Sequence, residues 1–119
     1  MKSILIIDDD LSFTKALAHL LGQIGYEVSV AHSGQEGIDR YREKHADLVI
    51  TDLVMPHKDG LQTVLELQSE FPDLKFIALS GDEVDKLPQA RQLGARQTFI
   101  KPFATEELLE TIEEELTAV

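Results

Sequence analysis

Six residues in this 119-residue chain combine the chemistry of a small polar site: Asp8, Asp9, Asp10, Asp52, Ser80 and Lys101. They stand at or just after the ends of short, largely aliphatic runs. Carboxylates crowded together repel, and each is held above its usual pKa unless a cation sits between them. A hard divalent ion such as Mg²⁺ meets that need, because it takes oxygen ligands while keeping several waters and a phosphoryl oxygen. Each residue also has a plain structural use. Asp10, directly before Leu11, suits a helix N-cap, and a serine after a strand is usually a turn or cap residue. Lys101 taken alone could be a surface lysine. Its setting, between Phe99-Ile100 and Pro102-Phe103, instead aims the side chain, and a cis bond before Pro102 fits a tight turn there.

The elements that must carry these residues alternate between strand and helix. Ser3–Asp8, Asp47–Asp52 and Lys75–Ser80 read as strands buried on both faces; Glu27–Ala31 alternates, and Thr98–Lys101 is a short fifth strand. Between them, Leu11–Ile24 places Leu17, Leu20, Leu21 and Ile24 at helical spacing before Gly25, a left-handed cap. Ser33 and Glu36 form a capping-box pattern for a helix running to about His45. Leu53–Gly60 is a loop. Leu61–Glu70 offers Val64, Leu65 and Leu67 to the core, Asp82–Leu93 is a weaker helix interrupted by Pro88, and Thr105–Leu116 is the last.

This is a (βα)₅ unit, an α/β fold filling residues 1–119 as one domain. Alternation of this kind implies a parallel sheet with right-handed crossovers and helices on both faces. Ligands of such sheets bind outside the carboxyl ends of the strands, where strand order reverses. With order 2-1-3-4-5, the ends carrying Asp8-Asp9, Asp52, Ser80 and Lys101 are neighbours, and the bland end at Ala31-His32 falls at an edge.

Composition narrows the function classes. Eleven basic against twenty-two acidic residues give a net charge of −11. Such a surface repels phosphate backbones and anionic membranes, which argues against nucleic-acid or membrane binding by this domain. Hydrophobic residues make up 43%, enough for a packed core. With no cysteine there is no disulfide, thiolate zinc site or cysteine nucleophile. The N-terminal apolar run is cut off by three carboxylates, too short for a signal peptide or a membrane span. These features point to a cytoplasmic domain. Gly34 and Gly37 do not make a G-x-x-x-x-G-K phosphate loop, and His19, His32, His45 and His57 show no i,i+4 ligand pair.

IIDDD at the first strand end, TDLVMPHKDG around Asp52, ALSG at Ser80 and FIKPF at Lys101, in order and over essentially the whole chain, closely resemble receiver domains of two-component response regulators, among them the stand-alone chemotaxis type. The resemblance implies a flavodoxin-like fold and a phosphoryl group taken from a histidine kinase or a histidine phosphotransfer protein. By resemblance, Asp52 is the phosphoacceptor, and Asp8, Asp9, Asp52 and the backbone carbonyl of Val54 hold Mg²⁺, with Mn²⁺ an acceptable substitute. Lys101 contacts a phosphoryl oxygen, and Ser80 moves toward the phosphate. Binding to a downstream protein target then switches, and the family accommodates a monomer or a phosphorylation-dependent dimer. Thr98 departs from the family, which often has Tyr or Phe three residues before its lysine. Phe99, one place later, is expected to face the other side of the sheet.

Two other readings compete. Asp8-Asp9-Asp10-Leu11-Ser12 fits the D-x-D-x-S/T pattern of haloacid-dehalogenase-like phosphatases, but no acidic pair on a strand follows Lys101 and Asp52 goes unexplained. A receiver-like interaction module that is never phosphorylated usually loses the acids or the lysine, and neither is lost here. A flavoprotein would need a Ser/Thr/Gly-rich phosphate loop after the first strand. The last helix holds Glu106, Glu107, Glu110, Glu113, Glu114 and Glu115 with no Lys or Arg from Ala104 onward. It reads as a solvated face, or as a surface for a basic partner.

Overall fold

Aliphatic runs too short to be helices pair edge to edge. A computed structural model describes residues 1–55, 58–81 and 86–117. The order is β1 Ser3–Ile7, α1 Leu11–Ile24, β2 Glu27–Ala31, α2 Gly34–Glu43, β3 Leu48–Asp52, α3 Gly60–Glu70, β4 Phe76–Ser80, α4 Leu87–Gln92, β5 Gln97–Ile100 and α5 Thr105–Thr117. All strand pairings are parallel, in the order β2-β1-β3-β4-β5. The reversal of strand order lies between β1 and β3, so their carboxyl ends flank a crevice.

Strand alternation sorts the core into two layers. Leu5, Ile7, Val49, Phe76 and Ala78 face α2, α3 and α4, meeting Ile38, Tyr41, Val64, Leu67, Leu87 and Ala90. Ile4, Ile6, Leu48, Ile50, Ile77 and Leu79 face α1 and α5, meeting Leu17, Leu21, Leu108, Ile112 and Leu116. The three central strands are buried on both faces, hence their continuous apolar runs. β2 alternates because it is an edge with one wet face.

Helix ends follow their local chemistry. Asp10 accepts from the Phe13 amide at 3.0 Å as the N-cap of α1, and Gly25 closes that helix at φ 118°. Ser33 caps α2 through the Glu36 amide, but the Glu36 carboxylate accepts from the amide of His32 rather than that of Ser33. Asp59 caps α3 by accepting from the Gln62 amide at 2.8 Å.

Several expected details differ. Ile24 and Leu65 are exposed at 52% each, so helical spacing overcounted the core; buried Thr14 and Thr63 take part of their faces. α2 ends at Glu43, and His45 instead stacks on Tyr41 with ring centroids 5.0 Å apart. Pro88 lies in the first turn of α4, which begins at Leu87, where a missing N–H costs nothing. The segment expected to open that helix, 82–85, lies outside the described residues, as does His57. β5 begins one residue early, at Gln97. The glutamate-rich end of α5 is offset from far away in sequence. Lys75 Nζ donates to the Glu115 carbonyl at 3.2 Å, and Arg96 pairs with the Glu115 carboxylate at 3.5 Å. No helix among the described residues is long and apolar enough to cross a membrane.

Candidate functional site

At the carboxyl ends of β1 and β3, backbone pairing decides which acids meet. Ile7 pairs with Thr51, so the residues that follow each, Asp8 and Asp52, lie side by side at the crevice. Carboxylate oxygens of Asp8, Asp9 and Asp52 all come within 4.8 Å of one another. Asp8 is fully buried and Asp52 7% exposed, while Asp9 faces solvent. Two acids are thus rigidly held and the third closes the cluster from the wet side. Such an all-oxygen donor set, half open to water, has the character of a site for a hard divalent cation.

Lys101 reaches this cluster from the end of β5. Its Nζ donates to Asp8 Oδ2 at 2.7 Å and to Asp52 Oδ2 at 3.4 Å, and lies 4.7 Å from the centroid of the Phe13 ring. The Lys101–Pro102 peptide bond is cis. Burial pulls the Lys101 pKa down, but the hydrogen bond and charge of Asp8, with Asp52 adding to them, outweigh it and leave the pKa raised. Asp52 is pushed above the ordinary carboxyl range, first by burial and then by the charge of Asp8. The Val54 amide and Lys101 oppose that rise only in part.

Asp52 is also held from its own loop. Val54 N–H donates to Asp52 Oδ1 at 3.1 Å, which turns the chain back over the carboxylate. Asp8 Oδ1 accepts from the Asp10 amide at 3.0 Å, leaving Oδ2 for Lys101. Ser80 is fully buried at the end of β4, and its Oγ has no hydrogen-bond partner among the described residues. A buried hydroxyl without a partner costs about 1–3 kcal/mol, so a nearby acceptor that arrives later would recover that cost. Asp10 stands apart from the cluster as the cap of α1. Asp8, Asp9, Asp52 and Lys101 therefore meet in one cluster, Ser80 stands at the carboxyl end of β4, the strand next to β3, and Asp10 serves the adjoining helix.

The rim contains features that spacing alone did not mark. Lys86 Nζ pairs with Asp59 Oδ2 at 3.0 Å, and Lys58 Nζ with Glu66 and Gln35 at 2.9 Å, tying the loops around the crevice together. Gly60 packs so tightly that a Cβ there would lie 2.0 Å from the Asp52 carbonyl oxygen. Asp59-Gly60, at the end of the expected loop, caps α3 and lets that helix approach Asp52. Away from the crevice, Thr98 Oγ1 accepts from Arg91 Nη2 at 2.9 Å, while Phe99 is buried with the α1 and α5 layer. The aromatic residue thus faces the side expected from alternation.

Known proteins resemble this chain in sequence and fold. The family described as "Response regulator receiver domain" matches residues 4–113. Response regulator MprA of Mycobacterium avium (strain 104) is 36% identical over 107 residues, covering 89% of this chain and 47% of that protein. This chain spans less than half the length of such curated relatives. A response regulator receiver domain protein from Clostridium thermocellum superposes with a TM-score of 0.90 at 30% identity, over 98% of this chain and 94% of that one. The response regulator protein TrrA of Thermotoga maritima, determined in complex with Mg²⁺-BeF, superposes with a TM-score of 0.86 at 30% identity. That alignment covers 97% of this chain and 99% of the other. The flavodoxin-like fold with order 2-1-3-4-5 is common to these domains.

Proposed function

This chain belongs to the response regulator receiver domain family of two-component signalling, and on that premise we propose that it accepts a phosphoryl group on Asp52 from a histidine kinase or histidine phosphotransfer protein. The observation carrying this reading is Lys101 Nζ lying between Asp8 and Asp52, at 2.7 and 3.4 Å, beside a three-carboxylate cluster. An ammonium already spanning the acids is placed to meet charge on a group attached to either of them.

Asp8, Asp9, Asp52 and the Val54 carbonyl would hold Mg²⁺. The all-oxygen donors and the partnerless Ser80 hydroxyl both fit a cation with an attached oxyanion. Bound Mg²⁺ would neutralise charge on the acids and on the transferring oxygens. In the transfer, an Asp52 carboxylate oxygen forms a bond to phosphorus. The P–N bond of the donor phosphohistidine breaks, and its electron pair stays on the donor nitrogen. The Val54 amide holds Asp52 Oδ1, which orients the other oxygen, Oδ2, toward Lys101. Lys101 then leaves Asp8 for a phosphoryl oxygen, and the Ser80 hydroxyl gains an acceptor. Such movement of a buried side chain re-packs the α4 and β5 side of the sheet and alters the surface offered to a downstream target.

The domain is thus a phosphoacceptor that turns over only its own acyl phosphate, and its acidic, cysteine-free composition suits the cytoplasm. The phosphatase reading needs Asp10 in the reacting centre, where Asp10 instead caps α1 through the Phe13 amide. Intact mass after incubation with Mg²⁺ and acetyl phosphate tests the proposal. One added phosphoryl group is expected, absent without Mg²⁺ and in Asp52→Asn. An adduct that survives in Asp52→Asn would move the acceptor elsewhere. No adduct and no Mg²⁺ binding would favour a silent interaction module.

A further inference from the structure

We infer that Phe13 is a positioning residue for Lys101, holding its ammonium in the acid cluster through the face of its ring. This rests on the phosphoacceptor reading and concerns a residue outside the acid, hydroxyl and lysine set. Lys101 Nζ has three N–H bonds to place. Asp8 and Asp52 accept from it, at 2.7 and 3.4 Å, and it lies over the Phe13 ring, 4.7 Å from the centroid. An aromatic face attracts a cation through its quadrupole, most strongly where water is excluded. Here the lysine side chain is only 24% exposed.

The ring is itself fixed from two sides. Its backbone amide donates to Asp10 Oδ1 at 3.0 Å, so the N-cap of α1 determines where the ring starts. Phe103 meets it edge to face, with centroids 6.2 Å apart at 87°, and Phe99 packs on Phe103 at 5.4 Å. Phe103 stands two residues beyond Lys101, so one short stretch of chain supplies both the cation and the ring that buttresses its cover. A free lysine side chain samples many rotamers, and pinning it beforehand removes that entropic cost from the transfer step.

Phe13 also packs against the α1 and α5 core layer, so a truncation alone would not separate positioning from packing. Fluorination does. Replacing Phe13 by 4-fluoro-, 3,5-difluoro- and pentafluorophenylalanine keeps the ring's shape and apolar character while draining its negative face. The first readout is the rate of phosphoryl uptake from acetyl phosphate with Mg²⁺. It should fall stepwise along the series, to roughly three- to tenfold below the parent, the equivalent of about 0.7–1.4 kcal/mol. The second readout needs no metal or phosphoryl group. In the metal-free protein, the Lys101 Hε protons should show an upfield ring-current shift that disappears in Phe13→Leu. A flat rate across the fluorinated series, in a protein that takes up phosphoryl normally, overturns the inference and leaves the phosphoacceptor reading standing. An absent ring-current shift in the parent overturns it too. No uptake by the parent overturns the phosphoacceptor reading, and the inference falls with it.

Discussion

Replacing Gly60 by alanine should destabilise the protein and displace Asp52 in one stroke. The added Cβ would lie 2.0 Å from the Asp52 carbonyl oxygen, 2.8 Å from Leu53 Cα and 2.9 Å from the Asp52 carbonyl carbon. Ordinary contact begins near 3.4 Å, so the start of α3 and the end of β3 must separate by about 1.4 Å, the gap between 2.0 and 3.4 Å. All three obstacles are backbone, and none can rotate away as a side chain would. Overpacking of this kind costs about 1–3 kcal/mol. Alanine gains about 0.5–1 kcal/mol over glycine within a helix, which offsets only part of it. A net loss of about 1–2 kcal/mol follows, lowering Tm by roughly 4–10 °C. Gly22 is the internal control. It lies within α1 with nothing inside 4 Å of an added Cβ, so Gly22→Ala should stabilise by about 0.5–1 kcal/mol. Urea denaturation followed by circular dichroism, without metal, measures both variants. The same change should have opposite signs at two helical glycines. Phosphoryl uptake should also fall about tenfold or more in Gly60→Ala, because a misplacement near 1 Å can cost on the order of 10²-fold. A Gly60→Ala protein as stable as the parent would refute the close approach of α3 to Asp52.

Three further outcomes are expected. Mg²⁺ should raise the denaturation midpoint, adding about 2.7 kcal/mol of stability at a hundred times its Kd; a calorimetric titration of Asp9→Asn should show weaker binding and a smaller rise. Lys101→Met leaves the buried Asp8 carboxylate without its cation, so metal-free urea titration should show a loss of about 3 kcal/mol, the low end for a broken buried pair, with Mg²⁺ restoring part of it. Asp59 lies below the ordinary carboxyl range: burial pushes its pKa up, but the Gln62 amide and Lys86 outweigh that. Its stabilisation is therefore present above the usual carboxyl pKa and lost as pH falls through the lowered folded value. Asp59→Asn keeps the capping oxygen, so parent and variant should differ by about 0.5–1 kcal/mol at neutral pH and converge in acid, as followed by thermal melts.

The elements were legible because burial writes itself into residue order. Central strands wet on neither face must be aliphatic throughout, and the carboxylates that interrupt β1 and β3 mark where each strand leaves the core. Asp10 and Gly25 announce the two ends of α1 by local hydrogen bonding and left-handed backbone, interactions that span a few residues and need no fold. Asp8, Asp9, Asp52, Ser80 and Lys101 could be singled out in the same way, as polar residues at the ends of apolar runs.

Contact between those residues was decided by the sheet. Lys101 meets Asp8 across 93 positions of sequence because the parallel order of the sheet brings the carboxyl ends of β1, β3 and β5 to one edge. Side-chain exposure likewise depends on neighbours. Ile24 and Leu65 have core spacing yet face solvent, since periodicity states which residues share a helix face but not how far the partner layer extends. Gly60 against Asp52, Lys75 on the Glu115 carbonyl of α5 and Phe13 over Lys101 leave no local trace, because each joins elements brought together only by packing. The strand order placed the charges at one crevice; van der Waals contact and the length of individual side chains determined which of them touch.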